Sequence, residues 1–115
     1  MKLVVAIIRP EKLTAVQSVL SRYDIDQMTV SHVFGCGHER GTAYIYRTTT
    51  VEDKMLPRLK LEVAVEDHAV DSAVTAIRES ALTGHVGDGI VWVLALQQAD
   101  HIRPRRSVGW RAAKN

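Results

Sequence analysis

Hydrophobic positions along this chain fall into continuous runs, strict alternations and helically spaced stripes. Leu3 to Ile8 is an unbroken apolar run rich in branched side chains, stopped by Arg9-Pro10. That length predicts a strand covered on both faces. Pro10 and Glu11 then suit the first turn of a helix, where a missing N–H costs little and an acid meets the dipole. Leu13, Val16, Val19, Leu20 and Tyr23 recur at helical spacing and give one apolar stripe. Asp24 to Gln27 reads as a turn. Next comes an alternation, with Met28, Val30, His32 and Phe34 on one face and Thr29, Ser31 and Val33 on the other. It ends at Gly35-Cys36-Gly37. A third strand follows Pro57: Leu59, Leu61, Val63 and Val65 alternate with Lys60, Glu62 and Ala64. Asp67 is placed to cap a second helix with a stripe of Val70, Ala73, Val74, Ile77 and Ala81. Ile90 to Leu96 is again wholly apolar, and Gln97 to Ile102 reads as a short helical turn.

The predicted order is β-α-β-loop-β-α-β, which is α+β: a ferredoxin-like βαββαβ sandwich with a long loop between strands 2 and 3. One domain covers residues 1–103, with the polar loop at about 38–55 and a short ribbon at Tyr44-Ile45-Tyr46. A basic tail occupies 104–115. Two helices cover only one face of a four-stranded sheet. The first and last strands want cover on both, so the bare face predicts self-association.

Composition adds bounds. The chain has 115 residues, 46% of them hydrophobic and 24% charged, with a net charge of +2. That is ordinary for a globular domain and gives no footprint for nucleic acid. The basic excess is local, in Arg103, Arg105, Arg106, Arg111 and Lys114. A single cysteine, Cys36, excludes an internal disulfide and suits a reducing compartment. The first apolar run is too short for a signal or a membrane span, so the expectation is a cytoplasmic protein without membrane insertion.

The strongest chemical candidate is Thr83-Gly84-His85-Val86-Gly87-Asp88-Gly89, directly before the last strand. Its glycines fit either a helix C-cap with a tight turn or a backbone cradle for an anion. The loop joins helix to strand, so neither the dinucleotide fingerprint nor the P-loop applies. Cys36 and His38 stand two apart, a spacing a soft metal could use, but the five histidines show no zinc-like helical pair. No serine nucleophile motif is present. Glu66-Asp67 and Glu52-Asp53 read as solvated loop or cap residues.

Taken together, the residues resemble the PII signal-transduction proteins. The resemblance runs from about Leu3 to Arg103 without a gap. It includes Ala6-Ile7-Ile8-Arg9-Pro10, Lys12-Leu13, Met28-Thr29-Val30-Ser31, Gly35-x-Gly37, Gly41, Tyr46-Arg47, Leu56-Pro57 and Lys60-x-Glu62. Most specific is Thr83-Gly84-x-x-Gly87-Asp88-Gly89 followed by Val91-Trp92-Val93. The resemblance implies a homotrimeric, non-enzymatic regulator that binds adenine nucleotides between subunits. It passes their state to a target, a membrane transporter or a cytosolic enzyme, through the long loop. Carried over by position, Ile7, Gly35, Cys36, Gly37, Glu62 and Ala64 would line one side of the cleft. Met28 and Thr29 would approach the base from the adjoining subunit. Gly87, Asp88 and Gly89 would meet phosphates through the backbone, with His38, His101 and Arg103 nearby. Glu39, Arg40, Tyr46, Arg47 and Val51 would belong to the partner-binding loop.

Departures from the family pattern refine the expectation. Ile90, His101 and His38 stand where the resemblance calls for basic residues. Each lost cation removes a charge-assisted contact worth roughly 1.5–3 kcal/mol. The chain should therefore prefer ADP or AMP over ATP, with the two histidines strengthening binding at lower pH. Tyr46-Arg47 is followed by Thr48-Thr49-Thr50-Val51, without the tyrosine that other members modify. Glu39 replaces a glutamine that helps hold magnesium, and its carboxylate could still take the ion. A trimer reading bicarbonate, another small anion or a metal is the alternative, and an acylphosphatase-like enzyme ranks behind both.

Overall fold

The computed structural model describes residues 1–35 and 55–103. They build a four-stranded antiparallel sheet in the order β2-β3-β1-β4, with both helices on one face. The strands are β1 (Lys2–Ile8), β2 (Thr29–Gly35), β3 (Leu56–Val65) and β4 (Gly89–Ala95), and the helices are α1 (Leu13–Arg22) and α2 (Val70–Ala81). This is the ferredoxin-like arrangement. Tyr44 to Tyr46 and the tail beyond Arg103 lie outside the described residues.

The central strand β1 pairs with β3 on one side and β4 on the other, which is why its apolar run has no polar break. Val4, Ala6 and Ile8 face the helices and are buried with Leu59, Leu61, Val63 and Val65 of β3. Val16 and Leu20 of α1 and Ala73, Ala76, Ile77 and Ala81 of α2 close that core. Small alanines on α2 let it settle near the sheet and against α1.

Each helix opens with a single 3-10 turn, at Pro10–Lys12 and Asp67–Ala69. At α1 the Lys12 amide donates to the Arg9 carbonyl at 3.0 Å, so Arg9 is pinned at the strand-to-helix corner. The far end of α1 closes with Ile25 N–H on Leu20 O and Asp24 N–H on Ser21 O, both 3.0 Å. Asp24 takes the left-handed conformation, φ 64°, that such an ending requires.

Four expectations need correction. Tyr23 terminates α1 and is half exposed, so it leaves the buried stripe. Asp67 makes no cap hydrogen bond; its carboxylate meets the Met1 ammonium at 3.0 Å instead. Residues 97–102 bend without forming a helical turn. On β2 the alternation is real but the apolar face is not buried: Val30 and Phe34 are exposed, and only Met28 packs against the core. β2 is an edge strand, and the helices do not reach far enough across to cover it.

The opposite sheet face carries no helix. Cross-strand pairs Leu3↔Leu94, Val5↔Trp92 and Ile7↔Ile90 make its β1–β4 half apolar, whereas Lys60 and Glu62 of β3 make the other half charged. Ile90 is 59% exposed, Leu94 48% and Trp92 39%. β4 is therefore apolar although it is an edge strand, because both of its faces lack polar residues.

Candidate functional site

The glycine loop folds around one carboxylate. Asp88 Oδ2 accepts from the amides of Thr83 and Gly84, both at 2.9 Å, and its Oδ1 accepts from the Thr83 hydroxyl. The Thr83 hydroxyl oxygen in turn accepts from the His85 amide at 3.1 Å. From across the sheet, Arg9 Nε donates to Asp88 Oδ1 at 3.1 Å and Nη2 donates to the Val86 carbonyl at 2.6 Å. These contacts hold the Asp88 carboxyl well below the usual carboxylate range. The Thr83 hydroxyl contributes most, against the opposing push of burial, with the Thr83 amide, Arg9 and the Gly84 amide adding. Asp88 is thus an ionised keystone of the loop, with Arg9 as its counter-charge.

Gly89 fixes where the loop meets the sheet. Its φ is 113°, and a Cβ there would sit 1.8 Å from the Ile7 carbonyl oxygen. Only glycine lets β4 begin this close to β1.

The same geometry leaves donors unspent. Among the described residues, the amides of Val86 and Gly87 make no hydrogen bond, whereas the turn at Val86–Gly87 directs the Asp88 amide toward the His85 carbonyl. The Gly87 carbonyl accepts from Arg58 Nη2 at 3.3 Å, and the Val86 carbonyl is held by Arg9. A trans peptide points its N–H opposite its C=O. Fastening the Val86 carbonyl to Arg9 therefore turns the Gly87 amide away from that arginine, where an anion could accept from it. A cleft of about 430 Å³ adjoins the loop around the free edge of β4, lined by Ile7, Arg78, Leu82, Asp88, Gly89 and Ile90 among others.

The comparisons with known proteins fit this loop and sheet. The family model described as "Nitrogen regulatory protein P-II" matches residues 1–106. This chain belongs to the P-II family. It is 45% identical over 103 residues to the nitrogen regulatory protein P-II of Rhizobium etli, covering 90% of this chain and 92% of that one. It is 39% identical to the nitrogen regulatory protein GlnK of Escherichia coli K12 over the same shares. To GlnK1 of Methanosarcina mazei it is 38% identical, covering 90% of both chains. Membership makes it a regulatory signalling protein of the nitrogen-regulation family and not an enzyme.

Against that family frame, the positions expected from sequence divide into groups. Ile7, Gly87, Asp88 and Gly89 come together at one end of the β1–β4 pair. Gly35 ends β2 opposite Leu56. Thr29 stands directly across from Glu62 on the bare face, and Ala64 lies two positions further from the loop. The register therefore places Glu62 and Ala64 with Thr29 on one stretch of the bare face. Met28 turns toward the core on the helix side. His101 is half-buried and Arg103 exposed near the end of the described residues. Cys36, Gly37, His38, Glu39, Arg40, Tyr46, Arg47 and Val51 lie outside the described residues.

Sequence reading missed the roles of Arg9 and Arg58. The signal for Arg9 was available only once β1 and β4 were paired antiparallel: one step past Ile8↔Gly89, Arg9 falls beside Asp88. A second hollow, of about 180 Å³, lies between Tyr23–Gln27 and Ala64–Ala69, and it holds Ala64 alone of the expected site positions. Among the described residues, no three His, Cys, Asp or Glu side chains converge as a metal site. No described helix is long and apolar enough to cross a membrane.

Proposed function

We propose that this P-II protein is a cytoplasmic homotrimer that binds adenine nucleotides in clefts between subunits and signals their state to a target protein. The observation that carries this reading is the glycine loop itself, with the Gly87 amide making no hydrogen bond among the described residues and two arginines gripping the neighbouring carbonyls. Two separate walls, Ile7 with Gly87–Gly89 and Thr29 with Glu62 and Ala64, are completed as one cleft when a second copy brings them together. The apolar half of the bare face supplies the reason to associate. By the family resemblance, Cys36, Gly37, His38, His101 and Arg103 belong to the same binding set. Glu39 is the residue suited to magnesium, and the segment at about 38–55 carries the contact with a transporter or a metabolic enzyme.

ADP and AMP are favoured over ATP. The exposed Ile90 brings no charge to the start of β4, and the Arg9 charge is already balanced by Asp88. A triphosphate asks for the most neutralisation and gains least here. Isothermal titration of the native protein with AMP, ADP and ATP tests this. Binding of ADP and AMP with weaker ATP supports it; tighter ATP, or no nucleotide binding, contradicts it. Bicarbonate binding without nucleotide binding would favour the small-anion reading instead.

A further inference from the structure

The two arginines at the glycine loop are committed differently. Arg9 is engaged twice, by the Asp88 carboxylate and the Val86 carbonyl. Arg58 has no carboxylate partner among the described residues. Its Nη1 donates to the Pro57 carbonyl at 2.8 Å and its Nη2 to the Gly87 carbonyl at 3.3 Å. Both partners are neutral, so the guanidinium keeps its full charge beside the loop. A cation on a peptide oxygen also polarises that peptide and strengthens its N–H as a donor. The peptide concerned is Gly87–Asp88, at the turn that leads into β4. On the same sheet face Ile90 offers no charge of its own.

We propose that Arg58 is the positioning and specificity-determining residue of the loop. It fixes the Gly87–Asp88 peptide at the turn into β4, and it supplies beside that peptide the positive charge that position 90 lacks. The group recognised is the terminal phosphate of a nucleoside diphosphate. This inference rests on the proposed nucleotide site and adds which residue sets its charge preference.

The test is titration of ADP and AMP into the native protein, Arg58→Ala and Arg58→Lys, each first checked for native-like thermal unfolding. Among the described residues the half-buried Arg58 side chain hydrogen-bonds only to backbone carbonyls, so both variants should fold. Arg58→Ala should lose ADP affinity about tenfold and AMP affinity clearly less, flattening the preference between them. Arg58→Lys should restore part of that preference, since charge returns without the forked grip. An unchanged ADP-to-AMP ratio in Arg58→Ala would overturn the inference, because a purely structural role lowers both alike. A native protein that binds neither nucleotide would instead overturn the proposed function, and this inference with it.

Discussion

Arg9 and Asp88 are separated by 79 positions in sequence and meet at 3.1 Å, one directly after strand β1 and the other directly before strand β4. Neither is deeply buried, with side-chain exposures of 20% and 21%. The pair matters because it is embedded: Asp88 also receives two loop amides and a hydroxyl, and Arg9 also holds a loop carbonyl. Removing either end strands the partner. A double-mutant cycle with Arg9→Ala and Asp88→Asn, read by urea unfolding, should give a coupling of about 0.5–3 kcal/mol. Additive effects would mean the two are independent.

The same carboxylate gives a pH signature. Its folded-state pKa is depressed, so its stabilisation is fully present above the unfolded value of about 3.9 and is lost as pH falls through the folded value. Asp88→Asn should cost about 1–3 kcal/mol near neutrality. The gap between native and variant should stay flat down to about pH 5 and narrow below about pH 4. Thermal unfolding across that range checks it, and a gap that widens on acidification would reverse the assignment.

Two glycines of the loop should respond unequally to alanine. At Gly84, φ 85°, nothing lies within 4 Å of an added Cβ, so the cost is that of the left-handed backbone alone, about 1–2 kcal/mol. At Gly89 the added carbon would collide with the Ile7 carbonyl, and β4 must shift away from β1. Gly89→Ala should cost clearly more than Gly84→Ala, above about 3 kcal/mol. Equal melting temperatures for the two variants would contradict the close approach.

The bare sheet face predicts association. Leu94 lies across from Leu3 in its apolar half, and a carboxylate there would be buried without a partner in any assembly that covers it. Size-exclusion chromatography with light scattering should find the native protein trimeric and Leu94→Glu monomeric. A native monomer at micromolar concentration would remove the basis for an intersubunit cleft.

How far the sequence could be read depended on how many neighbours each residue had to consult. β3 was plain because its alternation separates a buried face from a charged one, and α2 because its stripe meets a single core. β2 misled because alternation reports two faces without saying whether either is covered, and an edge strand beyond the helices leaves Phe34 69% exposed. Asp67 looked like a cap from its position alone, but the Met1 ammonium competes for it. The glycine loop was legible as a turn. Its arginines were not, since Arg9 and Arg58 reach it only through the β1–β4 and β1–β3 registers.

The central claim is that the glycine loop, through the Gly87 amide, holds the phosphates of an adenine nucleotide, and it can be read at that atom. A ¹⁵N-resolved amide titration of the native protein with ADP measures it directly. The account predicts a large, saturable shift and slowed hydrogen exchange at Gly87. A Gly87 amide left unmoved while ADP binds elsewhere would contradict it.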